Sequence, residues 1–365
     1  MTNALSDKRI LMFPRTMAMG GTEKVVLQLC EALLGKCAWV GVVSCGGDLV
    51  TRLEDMGVPH FDIPDITDKN PATARRVVRE LRSIVADNGV NLVHCHHRMA
   101  AMYSHVLRGK TLCTVATAHN VFQDGKRCAT RAAYHGMHVA ACGGQVERNL
   151  IDYYGLPHEN VVLIPNSVKP FDGPVEPISE IATCPEGVMK VGFVGRLTEA
   201  KGPGFLVDAM AMLAKRGIPV RCFMVGDGEL GDFLRDKVSE LGLTDRICFL
   251  GQRDDSQNFL SQVDVCAMPS LWEGLPLVLL EALSVGAPVV ASACDGVLDV
   301  VTDGKDGLLV ESGNAEQLAD ALERLWRDSA LRSRLAEAGK STFQSGYSYD
   351  CWVQKYFKFY EGAGA

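Results

Sequence analysis

The chain has 365 residues, of which 47% are hydrophobic and 22% charged, a globular composition that argues against long disordered stretches. That length suits two domains of about 150–180 residues. The net charge of −7 excludes a chain that binds nucleic acid through its overall charge. The charge is unevenly divided: residues 1–170 hold 19 Lys/Arg and 15 Asp/Glu (net +4), and residues 171–365 hold 18 and 29 (net −11).

The cysteines and the apolar stretches predict a cytoplasmic protein. Thirteen cysteines are scattered without any Cys-x-x-Cys pair, which indicates reduced thiols. The opening Met1–Arg9 is polar and unlike a signal peptide. The longest apolar stretch, Leu275–Cys294, contains Glu281 and two prolines, so it predicts a buried helix followed by a strand instead of a membrane span.

Short apolar runs alternate with helical periodicity through the first half of the chain. Seven strands are predicted, at Arg9–Phe13, Ala38–Ser44, His60–Ile63, Leu92–His96, Thr111–Ala116, Val139–Ala141 and Val161–Pro165. The main helices are predicted at Thr22–Leu34, Ala72–Asn88, Met99–Arg108 and Gly144–Tyr153. Apolar strands that alternate with helices indicate a parallel sheet covered on both faces.

The second half repeats this alternation after a proline-containing linker at Asn166–Ile178. Six strands are predicted, at Val188–Val194, Val220–Val225, Ile247–Leu250, Val263–Met268, Pro288–Ala291 and Gly307–Val310. Helices are predicted at Gly204–Arg216, Gly228–Leu241, Leu277–Val285 and Ala315–Asp328. The aromatic tail Cys351–Tyr360 suits a helix that returns to the first domain. The fold class is therefore α/β, with two doubly wound domains at 1–168 (plus about 350–365) and 169–349.

Two glycines, Gly20 and Gly21, lie between the first strand and the first helix. Glycine lets backbone approach a ligand closely, and a helix N-terminus favours a phosphate. A flexible strand-to-helix turn explains the same pair equally well.

The histidines raise two separate questions. Along a strand, His94 and His96 share one face and His97 lies on the other, so no more than two converge locally and no metal site is expected. His119 follows an apolar strand, at the carboxyl end where open α/β sheets bind ligands. It is the best candidate for a catalytic contact, although a lone histidine is more often structural.

Two glycine-containing turns in the second half offer phosphate-binding chemistry. Arg196 and Lys201 lie between a strand and a helix, and a diphosphate is an obvious ligand for two such cations; two surface cations are the alternative. Gly226–Gly231 reads Gly-x-Gly-x-x-Gly, a weak dinucleotide signal because many strand–turn–helix units match it.

The segment around Glu273 and Glu281 is the most specific single motif. Gly274 and Pro276 place Glu273 in a loop ahead of a helix, while Glu281 lies inside that helix. Backbone N–H groups at Leu275–Val278 then form an anion site at the helix N-terminus. Glu281 lies in an almost wholly apolar helix, where a charge needs a partner or ligand; the alternative is two solvated acids.

The helix predicted at Ala72–Asn88 is amphipathic. Its basic face is formed by Arg75, Arg76, Arg79 and Arg82. One interpretation is a solvated face. The other is that this face, with Lys126, Arg127 and Arg131, contacts anionic headgroups or a lipid-diphosphate acceptor at the inner face of the cell membrane.

Together these motifs resemble the retaining nucleotide-sugar glycosyltransferases of family 4, which have the two-domain GT-B fold. The resemblance spans essentially the whole chain and rests on Gly20–Glu23, His119-Asn120, Ile164–Ser167, Gly192–Leu197 with Lys201-Gly202, Gly226–Gly228, and Glu273 with Glu281. The phosphate-binding and two-glutamate clusters are specific in their order and spacing, while the others are weak individually.

The resemblance implies a role for each matching residue. Arg196 and Lys201 would hold the donor diphosphate, Glu281 the ribose, and Glu273 the sugar hydroxyls, while His119 would lie beside the sugar and acceptor. It implies catalytic roles for His119, Glu273, Arg196 and Lys201. It implies donor contacts at Gly20, Gly21, Arg196, Lys201, Gly226, Glu273, Gly274, Leu275, Pro276, Leu277 and Glu281.

The expected function is retaining, metal-independent transfer of a hexose or N-acetylhexosamine from a nucleotide-sugar, UDP-sugar favoured, to a lipid-linked or cell-surface glycan precursor. No cofactor is expected, and the absence of Asp-x-Asp on a strand end agrees with metal independence. The loop Gly251–Asp255 leaves the base undetermined. A nucleotide-sugar 2-epimerase-like enzyme, an NAD-dependent oxidoreductase using Gly226–Gly231 and a non-catalytic sugar-nucleotide binder remain alternatives.

Overall fold

The structure, a computed structural model, describes residues 5–107, 112–121 and 127–362. In this part of the chain, two compact units are distinguished. The first comprises the described residues up to Asn166 together with those from Asp350 onward, and the second comprises Ser167–Tyr349.

The first unit is built on a seven-stranded parallel sheet in the order β3-β2-β1-β4-β5-β6-β7. The strands are β1 (Arg9–Phe13), β2 (Trp39–Ser44), β3 (His60–Asp62), β4 (Leu92–Cys95), β5 (Cys113–Ala118), β6 (His138–Ala141) and β7 (Val161–Leu163). The central strands are buried on both faces, because helices cover each side of a parallel sheet.

The second unit is built on a six-stranded parallel sheet in the order β10-β9-β8-β11-β12-β13. Its strands are β8 (Met189–Val194), β9 (Val220–Val225), β10 (Ile247–Gly251), β11 (Val265–Met268), β12 (Val289–Ser292) and β13 (Leu308–Val310). In both sheets the strand order reverses beside the first strand, and ligands of doubly wound sheets bind at the carboxyl edge near this point.

Fifteen α-helices connect or flank these strands in the described residues. They are α1 (Gly21–Leu33), α2 (Val50–Asp55), α3 (Pro71–Asp87), α4 (Arg98–Ser104), α5 (Arg127–Ala133), α6 (Gly144–Arg148), α7 (Ser179–Ala182), α8 (Pro203–Lys215), α9 (Gly231–Glu240), α10 (Ser256–Leu260), α11 (Leu277–Val285), α12 (Asp295–Leu298), α13 (Ala315–Arg327), α14 (Ser329–Gly346) and α15 (Tyr349–Gly362). Short 3₁₀ turns follow α4 and precede α8, and a π turn follows α6.

The predicted fold class is confirmed, and each predicted strand is found within two residues of its expected ends. The aromatic tail forms α15 and belongs to the first unit, where Trp352, Tyr356 and Tyr360 are buried. Two predicted helices are corrected: Met99–Arg108 becomes 3₁₀ after Ser104, and Gly144–Tyr153 becomes π-helical after Arg148. Arg108 itself lies outside the described residues.

Candidate active site

Three loops meet at the carboxyl edge of the second sheet. The loops after β8 and β9 are joined where Leu197 N donates to Asp227 O at 2.9 Å. A Cβ on Gly226, whose φ is +133°, would overlap the Gly195 carbonyl oxygen. The loop after β11 joins the loop after β8, because Leu271 N donates to Ala200 O at 2.9 Å. These backbone contacts hold the predicted phosphate-binding segments against one another.

A fourth loop, after β12, reaches the same edge. A Cβ on Gly296, in α12, would overlap the Gly274 carbonyl oxygen, so only glycine permits this approach. Desolvation, with a smaller effect of the nearby Glu273 carboxylate, raises the pKa of the Cys294 thiol to about 12. The thiol beside this edge therefore stays protonated and neutral at physiological pH.

Lys201 and Glu273 form an ion pair at the centre of this edge. The Lys201 ammonium lies 2.5 Å from Glu273 Oε1, which also accepts a hydrogen bond from Ser270 Oγ at 2.8 Å. The side chains are 22% and 8% exposed, so the pair is largely withdrawn from water. An ammonium has three N–H donors, so this bond leaves Lys201 able to bind an anion as well.

Arg196 lies in the same loop as Lys201 but is exposed. Among the described residues, no carboxylate pairs with its guanidinium. A guanidinium retains its charge throughout the physiological pH range and can bind a phosphate through two parallel N–H donors. The loop after β8 thus presents one paired and one exposed cation.

The two predicted glutamates occupy different environments, as the sequence predicts. Glu273 is in the loop ahead of α11, and Glu281 is inside α11 and only 6% exposed. Pro276, at the N-cap of α11, has no side chain that can accept a hydrogen bond from the first turn. Gly274, Leu275, Pro276 and Leu277 are all buried. The first turn of α11 therefore has no side-chain cap, and it follows Glu273 closely in the chain, as the predicted anion site requires.

The carboxyl edge of the first sheet contains three neighbouring histidines. The ring centroids of His94 and His96 are 4.0 Å apart, which confirms that they share one face. His119 joins them from the next strand, with its Nε2 3.0 Å from His96 Nδ1. The sequence predicts that His94 and His96 are neighbours. It does not predict that His119 joins them, because His119 comes close only when β4 pairs with β5.

A chain of hydrogen bonds links this cluster to α15. His94 Nδ1 lies 2.9 Å from Tyr360 Oη, and His94 Nε2 lies 2.8 Å from Thr117 Oγ1, which in turn is 3.1 Å from Tyr356 Oη. Desolvation lowers the pKa of His94 to about 3, aided by the positive charge that His119 would carry. The polar groups that hold α15 in the first unit are therefore uncharged at neutral pH.

Burial also lowers the pKa of His119 to about 4 and that of His96 well below its usual range. His119 nevertheless remains partly exposed, whereas His96 is 4% exposed. Both rings are consequently neutral near pH 7, and His119 is the member of the cluster that a ligand can reach.

At the start of α1, Gly20 and Gly21 occupy the predicted positions. Gly20 is the N-cap and Gly21, the first helical residue, is exposed. The Glu23 carboxylate also lies there, against Gly20, and accepts a hydrogen bond from Thr16 Oγ1 at 3.0 Å. Any phosphate at this helix N-terminus would meet that negative charge.

The basic face of α3 is exposed as predicted, while Val77 and Leu81 are buried on its other side. Glu80, however, lies 2.8 Å from the Arg76 guanidinium and 4.0 Å from that of Arg79. The face is therefore less positive than its four arginines alone indicate. Of the additional cations, Lys126 and the Arg127 side chain lie outside the described residues.

Two features bear on metals and membranes. In residues 5–107, 112–121 and 127–362, no group of three or more His, Cys, Asp or Glu side chains is placed to hold a metal ion. In the same ranges, no helix has the length and apolar character needed to span a membrane.

Comparison with known proteins places the chain in a family. The family Glycosyl transferases group 1 matches residues 175–342, and Glycosyltransferase Family 4 matches residues 19–170. The chain is 38% identical over 165 residues to the lipopolysaccharide core biosynthesis glycosyltransferase LpsE of Rhizobium meliloti, a match that covers 45% of this chain and 47% of that relative.

Two longer similarities extend over nearly the whole chain. The UDP-Gal:alpha-D-GlcNAc-diphosphoundecaprenol alpha-1,3-galactosyltransferase of Escherichia coli is 26% identical, with 86% of each chain covered. The crystal structure of Anabaena Alr3699/HepE in complex with UDP-glucose superposes with a TM-score of 0.82 at 20% identity, covering 97% of this chain and 99% of that one. With the two parallel-sheet units and the convergent loops described above, these matches show that the chain is a GT-B-fold glycosyltransferase of family 4, the group 1 glycosyl transferases.

Proposed function

We propose that this glycosyltransferase is retaining and metal-independent, and that it transfers a hexose or N-acetylhexosamine from a UDP-sugar to a lipid-linked or cell-surface glycan precursor. The observation that carries the proposal is the ion pair of Lys201 with Glu273 ahead of α11, in a loop that also presents the exposed Arg196. The names of similar proteins support the donor and the acceptor: one acts with UDP-Gal on a diphosphoundecaprenol-linked sugar, and another was crystallised with UDP-glucose.

The cations act on the leaving group. When the bond between sugar and diphosphate breaks, negative charge grows on the outer phosphate. Arg196, Lys201 and the N–H groups that begin α11 stabilise that charge from fixed positions. Their positive charge performs the role that a divalent ion performs in metal-dependent transferases.

The two glutamates bind different parts of the donor. Glu281, buried in α11, accepts hydrogen bonds from the ribose hydroxyls. Glu273 accepts from the hydroxyls of the sugar while Lys201 and Ser270 fix its carboxylate. His119 contacts the sugar and the acceptor. The proposal also gives Gly20 and Gly21 a phosphate contact, which the neighbouring Glu23 carboxylate opposes. The leaving phosphate assists removal of the acceptor proton.

The alternative enzymes are less well supported. The glycines of Gly226–Gly231 have a packing explanation, since Gly226 and Gly228 approach the backbone of Gly195 and Leu197. A nicotinamide cofactor is not needed to explain them. A 2-epimerase-like enzyme would share the donor site, but the matched family is one of transferases.

The donor is tested by a thermal-shift screen with UDP, GDP, ADP, NAD⁺ and the corresponding nucleotide-sugars. A ligand that binds only the folded state raises the melting temperature with its concentration. We expect UDP and UDP-sugars to give the largest shift and NAD⁺ none. A preference for GDP would overturn the choice of base, and conversion of a UDP-sugar to its epimer without acceptor would favour the epimerase.

For the acceptor, we propose that the basic face of α3 contacts an anionic membrane surface. Each basic residue near such a surface contributes about 1 kcal/mol, so Arg75 and Arg82, which have no carboxylate partner among the described residues, contribute most. Sedimentation with anionic vesicles at low salt tests this. Arg75→Glu with Arg82→Glu should abolish cosedimentation; unchanged binding would leave a soluble acceptor.

A further inference from the structure

The two ring nitrogens of His96 differ in their hydrogen bonding: one contacts His119, and the other has no partner among the described residues. His96 Nδ1 and His119 Nε2 are 3.0 Å apart, and the two rings are inclined by only 22°. On the far side of the His96 ring, Nε2 is buried, and no described residue offers it a hydrogen bond. A buried polar nitrogen without a partner costs free energy, so its protonation state is constrained.

The third histidine does not satisfy this nitrogen. Both nitrogens of His94 already have partners, Tyr360 Oη at 2.9 Å and Thr117 Oγ1 at 2.8 Å. The His96 ring is therefore enclosed between His94 and His119 with a single hydrogen bond, the one to His119.

This arrangement determines which atom of His119 meets a ligand. His119 Nε2 is occupied by His96, while the His119 ring remains partly exposed. Among the described residues, nothing hydrogen-bonds His119 Nδ1. Nδ1 is therefore the nitrogen available to a substrate.

The direction of the shared proton follows from the unpaired atom. Both rings are neutral near pH 7, because desolvation lowers the pKa of each. If His119 donated to His96, the proton of His96 would have to lie on buried Nε2 as an N–H without an acceptor, and such orphan N–H groups are rare in folded proteins. If His96 Nδ1–H donates instead, His96 Nε2 is a bare acceptor and the proton of His119 lies on Nδ1.

We propose that His96 is a positioning residue that holds His119 as its Nδ1–H tautomer, so that His119 acts on the substrate as a hydrogen-bond donor to a sugar or acceptor oxygen and not as a general base. The proposal rests on the proposed function, in which His119 contacts the sugar and the acceptor. No proton leaves or enters the pair in this role: the Nδ1–H bond of His119 remains intact while it orients the substrate oxygen.

The tautomer is measured directly by long-range ¹H–¹⁵N correlation spectra of the full chain labelled with ¹⁵N-histidine, at pH 7.5. Loss of signals in His119→Gln assigns that ring. We expect wild-type His119 to show a protonated Nδ1 and an unprotonated Nε2. His96→Phe keeps a ring but removes the donor, and we expect His119 to become a mixture of tautomers.

His96→Asn restores an amide donor near the position of Nδ1 and should restore the Nδ1–H tautomer. His138→Asn, at an exposed position at the start of β6, is the matched control and should leave the His119 signals unchanged. For turnover of the UDP-sugar, we expect His96→Phe to lower kcat about tenfold with little change in KM, and His96→Asn to recover most of it.

A wild-type His119 protonated on Nε2, or a His119 spectrum unchanged in His96→Phe, would overturn the proposal. If His96→Phe does not fold, the wild-type and His96→Asn spectra still decide it. The spectra require no turnover, so a chain that binds no UDP would refute the proposed function while the tautomer result stands separately.

Discussion

The carboxyl edges of the two sheets differ in charge: one carries ionised side chains and the other carries neutral ones. The second edge carries full charges, with Lys201 paired to Glu273 and Arg196 exposed in the same loop as Lys201. The first carries histidines that burial keeps neutral, His94, His96 and His119. Under the proposed function the difference would match two chemical tasks, because a departing diphosphate requires fixed positive charge and an uncharged hydroxyl requires an oriented hydrogen bond.

Removing the paired cation is expected to give the largest effect. Lys201→Met takes away one positive charge and leaves the Glu273 carboxylate, 8% exposed, with the hydrogen bond from Ser270 Oγ at 2.8 Å. We expect kcat for UDP-sugar turnover to fall about 100-fold, corresponding to about 3 kcal/mol of transition-state stabilisation. Initial rates of UDP release at saturating donor measure it.

Lys237→Met is the matched control. Lys237 also pairs with a carboxylate in the second unit, Asp208 at 2.7 Å, but this pair joins α9 to α8. We expect it to leave kcat within about twofold of wild type, because this pair joins two helices outside the phosphate-binding loops and a partly exposed pair contributes only about 1 kcal/mol to stability. Equal losses in the two variants would mean that Lys201 has only a structural role.

The packing of the phosphate-binding loops is tested by Gly226→Ala. The φ of Gly226, +133°, disfavours alanine, and an added Cβ would overlap the Gly195 carbonyl oxygen. Gly187→Ala separates these causes, because Gly187 has φ +82° with open space around it. We expect urea denaturation to show a loss of roughly 3 kcal/mol for Gly226→Ala and roughly 1 kcal/mol for Gly187→Ala. Similar losses would show that the contact with Gly195 is unimportant.

The histidines predict that the first unit is the more sensitive to mild acid. In the unfolded chain a histidine titrates near pH 6.5, whereas the folded pKa is about 3 for His94 and about 4 for His119. Between these values the unfolded state binds more protons. Their contribution is therefore complete above about pH 6.5 and is lost as the pH falls towards 4.

Hydrogen exchange, corrected for the intrinsic rate at each pH, measures this loss of stability separately in each of the two units. All nine histidines lie between His60 and His158, so the second unit has none. From pH 7.5 to pH 5, we expect the opening free energy of β4 to fall by on the order of 2 kcal/mol and that of β11 to change less. Equal decreases in both strands would contradict neutral, buried histidines.

The smallest expected effect separates the two glutamates. Ribose contacts are similar in the ground and transition states, so Glu281→Gln should weaken UDP binding about tenfold with little change in kcat. Glu273→Gln should instead lower kcat if Glu273 orients the reacting sugar, as proposed. Kinetics with UDP as a competitive inhibitor distinguish the two variants. If both variants bind UDP equally weakly, these roles are wrongly assigned.

How far the sequence predicts each edge depends on where the interacting residues lie in the chain. Glu273, Gly274 and Glu281 belong to one continuous segment, so Gly274, Pro276 and the apolar run after them are enough to predict their relation to the start of α11. The fold is also predicted from local sequence, because each strand is a short run of apolar residues that can be recognised by itself. The 18-residue helix α14 was not predicted, since its apolar residues are too sparse to mark an amphipathic face.

The first edge depends on contacts between distant residues. His96 and His119 are 23 positions apart and meet only when β4 pairs with β5. Tyr360 reaches His94 across 266 positions, through a helix whose partner no local pattern specifies. On α3, the ion pair between Arg76 and Glu80 could be predicted, because residues four apart on a helix are neighbours. The sequence interpretation of the basic face does not take Glu80 into account.

Calorimetric titration of UDP into the full chain, in EDTA and in MgCl₂, tests the central claim that protein cations hold the donor diphosphate. We expect the same Kd in both buffers and about tenfold weaker binding by Arg196→Ala, whose guanidinium is exposed at this edge. Binding that requires Mg²⁺, or an Arg196→Ala variant that binds UDP as tightly as wild type, would contradict the account.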